Sequence, residues 1–277
     1  MTGRSRWKSI LVEAAVAAGA LLCVAPVALI FITSLKPDAE IVHFRSLWPE
    51  SPTLASFREI LSNPEEIPIL RWFGNSVLIS SGVTALVLTV TSLAAYAFAR
   101  LNPPGKRPVF AIVVGAMMVP GQILLVPTYL ILNELGWLDT PLALIVPAGA
   151  SAFGFFLLHQ FFLGIPRDLE EAAAIDGCSR LGIFVRVVLP LSRPAMATLA
   201  IFTFAGSWND FLGPLVFLDS VDRYTLPVGL ALFQTSYFAE YGLTLAASVL
   251  CTLPVLLAFL VFQKHIIEGI ALTGLKD

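Results

Sequence analysis

The sequence predicts an all-α membrane protein, and three observations carry that reading. Hydrophobic residues make up 57% of the 277 and charged residues only 13%, about half the roughly 25% of a soluble domain. Mean hydropathy is +0.84. Six apolar runs are each long enough for a bilayer core of about 30 Å, which takes roughly 20 helical residues. None of them alternates like a barrel strand, so the spans are helices, which satisfy their own backbone in lipid. The same composition excludes disorder and fibrous classes. A balance of 17 basic and 19 acidic residues, net −2, gives no basis for a nucleic-acid partner.

The first run, Ile10–Ile32, follows Arg4, Arg6 and Lys8. It stays apolar past Pro26 and ends without a small-x-small cleavage site, so it is expected as an uncleaved span rather than a signal peptide. The second, Asn75–Ala99, carries the small-x-x-x-small pairs Ser81–Ala85 and Ser80–Thr84, which let helix backbones approach closely in lipid. The remaining runs are Val109–Leu132, Ala143–Leu163, Ala195–Leu218 and Leu243–Phe262. Pro120, Pro127, Pro147, Pro214 and Pro254 fall in the last four. Each removes a backbone donor, so kinks are expected there. Kinked helices suit a pathway that opens and closes, and they also occur in inert bundles.

Orientation follows the basic residues. A cytoplasmic N-terminus puts Arg4, Arg6, Lys8, Arg100, Lys106, Arg107, Arg167, Arg180, Arg186, Arg193, Lys264 and Lys276 inside. It leaves Lys36, Arg45, Arg58, Arg71 and Arg223 outside. Both termini are therefore expected in the cytoplasm. The organisation that results is residues 1–74 (N-terminal stub, first span, first outer loop) and a core of 75–277 with five spans and a cytoplasmic loop at about 165–194. The outer loops are acidic. That is either topological bookkeeping or a docking surface for another protein.

Residues with catalytic potential are scattered. His43, His159 and His265 are far apart, and Cys23, Cys178 and Cys251 form no C-x-x-C pair. No metal site, disulfide framework or catalytic motif is expected. The informative polar group is Trp208-Asn209-Asp210 inside the fifth run, because an ionisable group in a membrane segment is costly and marks a functional candidate. Either these residues line a polar pathway, or they pack against backbone and neighbouring helices.

The 165–194 loop is the longest inside connection and reads as two short helices. Asp168 can cap the first, with Glu171 completing a capping box. Leu169, Ala172, Ala173 and Asp176 then share one face, which is small and mostly apolar. Gly177 supplies a left-handed end. Ser179 can cap the second helix, which Pro190 is expected to terminate. A flat alanine face turned by a glycine fits a groove on another protein. The bland alternative is a helix lying on the membrane, which Glu170, Glu171 and Asp176 disfavour beside an anionic leaflet.

At this point the residues resemble a family. Glu171-Ala172-Ala173, Gly177, Val187 and Leu189-Pro190 stand at the intervals of the EAA loop of ABC importer permeases, with Val187 where isoleucine is usual. Phe73-Gly74-Asn75-Ser76, Met118-Val119-Pro120, Leu135-Gly136-Trp137-Leu138-Asp139-Thr140, Trp208-Asn209-Asp210-Phe211 and Thr225-Leu226-Pro227-Val228-Gly229 resemble the carbohydrate-uptake branch. The similarity runs from about Asn75 to the C-terminus, and most closely to the second, six-span permease of maltose-type systems. The resemblance implies an ABC importer type I permease fold in a bacterial cytoplasmic membrane, with the EAA loop as coupling helix. It implies a second permease (a distinct chain), two ATP-binding subunits that use ATP and Mg, and an extracytoplasmic solute-binding protein.

By the same resemblance Glu171, Ala172, Ala173, Asp176, Gly177, Val187, Leu189 and Pro190 couple to the ATPase. Trp208, Asn209 and Asp210 fall on the solute pathway, and Phe233, Gln234 and Tyr237 meet the binding protein. The chain itself binds no cofactor or metal and has no catalytic residue. It also contains no G-x-x-x-x-G-K-[ST] to cradle a phosphate. The rival is a stand-alone secondary transporter with Asp210 as proton relay. Such carriers show internal repeats, and none is evident.

Overall fold

In the computed structural model, residues 3–43, 46–236, 240–253 and 256 are described. They form helices joined by turns and irregular segments, with no strand among them. Two compact units are present. One holds the residues up to Ile69 together with those from Gly229 to Leu253, and the other holds Leu70–Val228.

In the first unit, α1 (Gly3–Thr33) runs unbroken through Pro26. Its 24-residue apolar segment Ile10–Thr33 has no buried residue in its most hydrophobic stretch. Two short helices follow, α2 (Asp38–Val42) and α3 (Ala55–Ser62). The fully buried Lys36 organises this loop. Its ammonium donates to the Ser46 carbonyl and lies 3.9 Å from Glu40. The Glu40 carboxylate in turn accepts from the Glu50 amide at 2.8 Å. Asp38 accepts the Gly242 amide at 2.6 Å, close to where the last apolar helix begins. That pairing of residues 204 apart is one link between 229–253 and the N-terminal residues.

In the second unit, α4 (Ile69–Tyr96) continues into a π-helical turn, Ala97–Leu101. The chain breaks at left-handed Asn102 and Gly105. The third apolar run is not one straight helix. α5 (Lys106–Ala116) and α6 (Leu125–Glu134) are joined through Met117–Pro120 and a 3-10 turn, with a bend of 95°. The fourth run bends by 43° between Leu142–Gly149, which opens with α7 (Leu142–Ile145), and α8 (Ala152–Leu163). Pro120 and Pro147 sit at these bends as expected. Pro127 and Pro214 instead lie in the first turns of helices that begin beside them, where a missing N–H costs little.

Beyond α8 come α9 (Arg167–Ile175), α10 (Arg180–Ile183), a π-helical turn at Phe184–Val188 and α11 (Leu189–Leu191). Pro190 does not terminate this helix, contrary to the expectation from sequence. The chain stays helical to Leu191 and bends by 78° at Ser192 into α12 (Arg193–Trp208). The fifth run also does not continue to Leu218. It stops at Trp208 and resumes as α13 (Leu212–Phe217). α14 (Leu226–Ser236) and α15 (Tyr241–Leu253) follow. Pro254 lies outside the described residues.

The core of the second unit is built from one face of α4 (Ile79, Val83, Val87, Ala95, Tyr96), α8 (Phe155, Leu158, Phe162) and α12 (Ala195, Leu199). Small residues permit this closeness. A Cβ on Gly154 would fall 2.9 Å from Leu199 Cδ1, and one on Gly82 2.7 Å from Ile145 Cδ1.

Candidate functional site

Three features of the second unit carry chemistry. The first is the 165–194 loop. α9 begins immediately after Pro166, whose extended ψ of 131° starts it, and no side chain caps it. Asp168 therefore lies inside the first turn rather than at the cap, and the expected capping box with Glu171 is absent. Asp168 and Glu170 still place negative charge where the helix dipole favours it.

The helix ends as the sequence suggested. Gly177 has φ +84°, its amide bonds to the Ala174 carbonyl, and the Cys178 amide reaches back to Ala173 at 3.0 Å. This is a Schellman ending with Ala173 and Cys178 as its apolar contact. Ser179 then caps α10, its hydroxyl accepting from Gly182 at 3.2 Å.

The faces of α9 differ from the expected set. Leu169, Glu171, Ala172, Ile175 and Asp176 are exposed, and Ile175 is 86% exposed. Ala173 instead packs inward on the core together with Val187 and Leu189. Glu170 also turns inward, where its carboxylate lies 2.6 Å from Arg100 Nε. Ala172 and Asp176 thus share an outward face, and Ala173 belongs to the opposite one.

The second feature is a cavity of about 250 Å³. It is lined by Ile79 and Val83 of α4, Leu144, Ala148, Thr203, Gly206, Ser207, Asp210 and Pro214. A second hollow of about 270 Å³ shares Ala148, Thr203 and Gly206 with it. Thr203 and Ser207 lie one turn apart on α12 and Asp210 just beyond its end, and all three bring polar side chains to an otherwise apolar wall. That spacing is visible in the sequence, although Asp210 alone stands out there.

Trp208 and Asn209 do not line this cavity. Trp208 is buried, with its ring 5.8 Å from Phe73 and 5.7 Å from Phe204. The Asn209 amide donates to the Ala205 carbonyl at 2.8 Å, closing the last turn of α12. Phe233 and Gln234 lie in α14, and Tyr237 lies outside the described residues.

The third feature is a polar knot around Asp139. Asp139 sits at φ 57° and accepts from the Asp219 and Ser220 amides and the Ser220 hydroxyl. Arg223 donates to the Asp139 carbonyl oxygen. Trp72 Nε1 donates to Val221 at 2.8 Å, Asn75 to Asp222 and Tyr224, and Arg71 pairs with Asp222 at 2.7 Å. Burial pushes the Asp139 carboxyl up. The Ser220 and Asp219 donors and the Arg223 charge outweigh it and hold the group below its ordinary value. Among the described residues no cluster of histidine, cysteine and carboxylate side chains is arranged to hold a metal ion.

Residues 88–271 match the family described as binding-protein-dependent transport system inner membrane component. That match spans more than half of the chain. The chain belongs to this family. The permease is 36% identical over 260 residues to the arabinooligosaccharides transport system permease protein AraQ of Halalkalibacterium halodurans, covering 93% of this chain and 92% of the relative. It is 35% identical to the sulfoquinovosyl glycerol transport system permease protein SmoH of Agrobacterium fabrum, over 91% of this chain and 88% of that one. It is 33% identical to the trehalose/maltose transport system permease protein MalG of Thermococcus litoralis, over 93% of both.

The fold of the permease matches a chain in the crystal structure of a bacterial ABC transporter involved in the import of the acidic polysaccharide alginate. The TM-score is 0.84 at 22% identity, over 95% of this chain and 98% of that one. The fold is therefore that of an ABC importer permease.

Proposed function

We propose that this permease is one of two membrane halves of an ATP-driven importer for a sugar or sugar-derived solute. The outward face of α9 carries the reading. Leu169, Ala172, Ile175 and Asp176 are exposed on a nine-residue helix held at a fixed angle by Gly177. An exposed, short, partly apolar helix of this kind fits a groove on a partner, and the family match and the three sugar-system relatives support the partners proposed here. These are a second, distinct permease, two ATP-binding subunits below and a solute-binding protein above. ATP and Mg belong to the ATP-binding subunits, and this chain is not an enzyme. Six crossings of a bacterial inner membrane, with both ends in the cytoplasm, complete the arrangement.

In this arrangement, closure of the ATP-binding subunits moves α9 as a rigid body, because the Schellman ending leaves no slack at Gly177. Glu171, Ala172 and Asp176 face the partner, and Ala173, Val187 and Leu189 carry the motion into the core. At the other end of the path, Thr203, Ser207 and Asp210 offer two hydroxyls and a carboxylate to a polyhydroxylated solute. Phe233, Gln234 and Tyr237 are the proposed binding-protein contacts.

The test is purification of the tagged chain from its native membrane in mild detergent, followed by uptake in proteoliposomes. Retention of an ATP-binding subunit and a second permease, with uptake that requires ATP inside, supports the reading. Asp210→Asn is expected to assemble normally and to slow uptake. Recovery of the chain alone, with uptake driven by a proton gradient and abolished by Asp210→Asn, would instead favour a secondary transporter.

A further inference from the structure

Arg100 is the buried arginine of this region. Arg167, Arg180, Arg186 and Arg193 are all exposed, whereas the Arg100 side chain is 6% exposed and its partner Glu170 14%. Nε and Oε1 are 2.6 Å apart. Neither atom has an aligned hydrogen-bond partner, so the contact is ionic. A terminal nitrogen of the same guanidinium donates to the Ile165 carbonyl at 2.6 Å. One planar side chain thus grips α9 and the residue that leads into it, a two-point hold that lysine lacks.

Arg100 projects from the π-helical turn Ala97–Leu101, a widened turn of the kind often found at functional positions. One turn earlier, Tyr96 packs its ring 5.0 Å from Phe184 and donates to the Arg180 carbonyl at 3.4 Å. The end of α4 therefore holds the loop on both sides of Gly177. The same α4 lines the cavities through Ile79, Val83 and Val87.

We propose that Arg100 is a positioning residue for ATP coupling: the buried Arg100–Glu170 pair hangs α9 on α4, so that displacement of α9 is delivered along α4 to the cavity wall. The physical case rests on what a buried ion pair is good for. Its desolvation nearly cancels its attraction, so it adds little net stability over an apolar pair of the same shape. What it supplies is direction and one register. From Arg100 to Val83 is about 25 Å of continuous helix at roughly 1.5 Å per residue, a span over which a packed helix moves as a unit. This inference rests on the proposed coupling role of α9.

The experiment compares wild type, Arg100→Met, Glu170→Met and the double variant in the reconstituted complex with its ATP-binding subunits and binding protein. Each single variant strands a buried charge and is expected to lower abundance. The double variant removes both charges and is expected to recover abundance and retention of the ATP-binding subunits. It is nevertheless expected to lose stimulation of ATP hydrolysis by loaded binding protein and to transport at least tenfold less solute per ATP. A double variant with wild-type solute per ATP shows a merely structural pair and overturns the proposal.

Should the double variant not assemble, Glu170→Gln, which keeps shape and an acceptor, is read the same way: reduced solute per ATP at normal assembly supports the proposal, and wild-type coupling overturns it. If the wild-type complex itself retains no ATP-binding subunit, the coupling role of α9 fails, and this inference fails with it. Wild-type coupling alongside a fully coupled variant leaves that role standing and sinks only Arg100.

Discussion

Asp139 accepts the Ser220 hydroxyl at 2.6 Å and the Ser220 amide at 3.0 Å, across 81 residues of sequence. One carboxylate therefore ties the turn between α6 and α7 to the segment that follows α13. Because the folded group is held below its ordinary value, it contributes stability above the unfolded carboxylate pKa, about 3.9. That contribution is lost as pH falls through the lowered folded value. The thermal midpoint of wild type in detergent is expected to exceed that of Asp139→Asn at neutral pH, with the gap closing below about pH 4. A gap that persists unchanged in acid would show that charge at Asp139 does not hold the knot.

Ser76 Oγ accepts the Leu226 amide at 2.8 Å, and both residues are 1% exposed. Ser76→Ala leaves that amide buried without a partner, which costs roughly 1–3 kcal/mol. A lowered unfolding midpoint with normal expression in the membrane is the expected result. An unchanged midpoint would mean that the amide finds another acceptor.

A Cβ added at Gly177 would meet no atom of the described residues within 4 Å, its own chain neighbours aside. A side chain at this position therefore meets no clash, and strain at φ +84° is the cost. A non-glycine residue in that region loses about 1–2 kcal/mol, a β-branched one more, and asparagine least. Uptake is expected to fall in the order Asn, Ala, Val at equal abundance. Equal uptake by all three would remove the rigid-turn argument.

Gly149 is buried, and a Cβ there would lie 2.8 Å from Leu86 Cγ. Gly149→Ala is expected to destabilise by about 1–3 kcal/mol through overpacking. The Leu86→Ala/Gly149→Ala double variant should recover part of that loss, and a double-mutant cycle on thermal unfolding measures the coupling.

Much of the loop is legible in the sequence because its signals are local. A positive φ at Gly177 and a cap at Ser179 each depend on residues within one turn, so spacing alone locates them. Pro190 misleads because it follows the widened π-helical turn Phe184–Val188 and the helix passes through it to Leu191, so the actual bend falls at Ser192. The α9 face is misassigned at Ala173 because a short helix with alanines on several sides does not reveal which side meets the core. Trp208-Asn209-Asp210 reads as one motif, yet it divides between an aromatic cluster, a helix end and a cavity wall. The helix ends within this triplet, so the three side chains leave the chain in different directions.

The membrane class, the apolar runs, the family and the place where the 165–194 loop turns can all be read from the sequence. These rest on composition, on periodicity and on contacts between near neighbours. That Arg100 meets Glu170, that Asp139 meets Ser220, and that Thr203 and Ser207 share a wall with Asp210, Ile79 and Val83 follows from the packing of distant segments. Those pairings depend on how bent helices pack, and the bends at Met117–Pro120, Ser192 and Asn209–Phe211 are set by the sum of many contacts rather than by any local code. Charged residues 70 positions apart carry no mark of their partner until the fold brings them together.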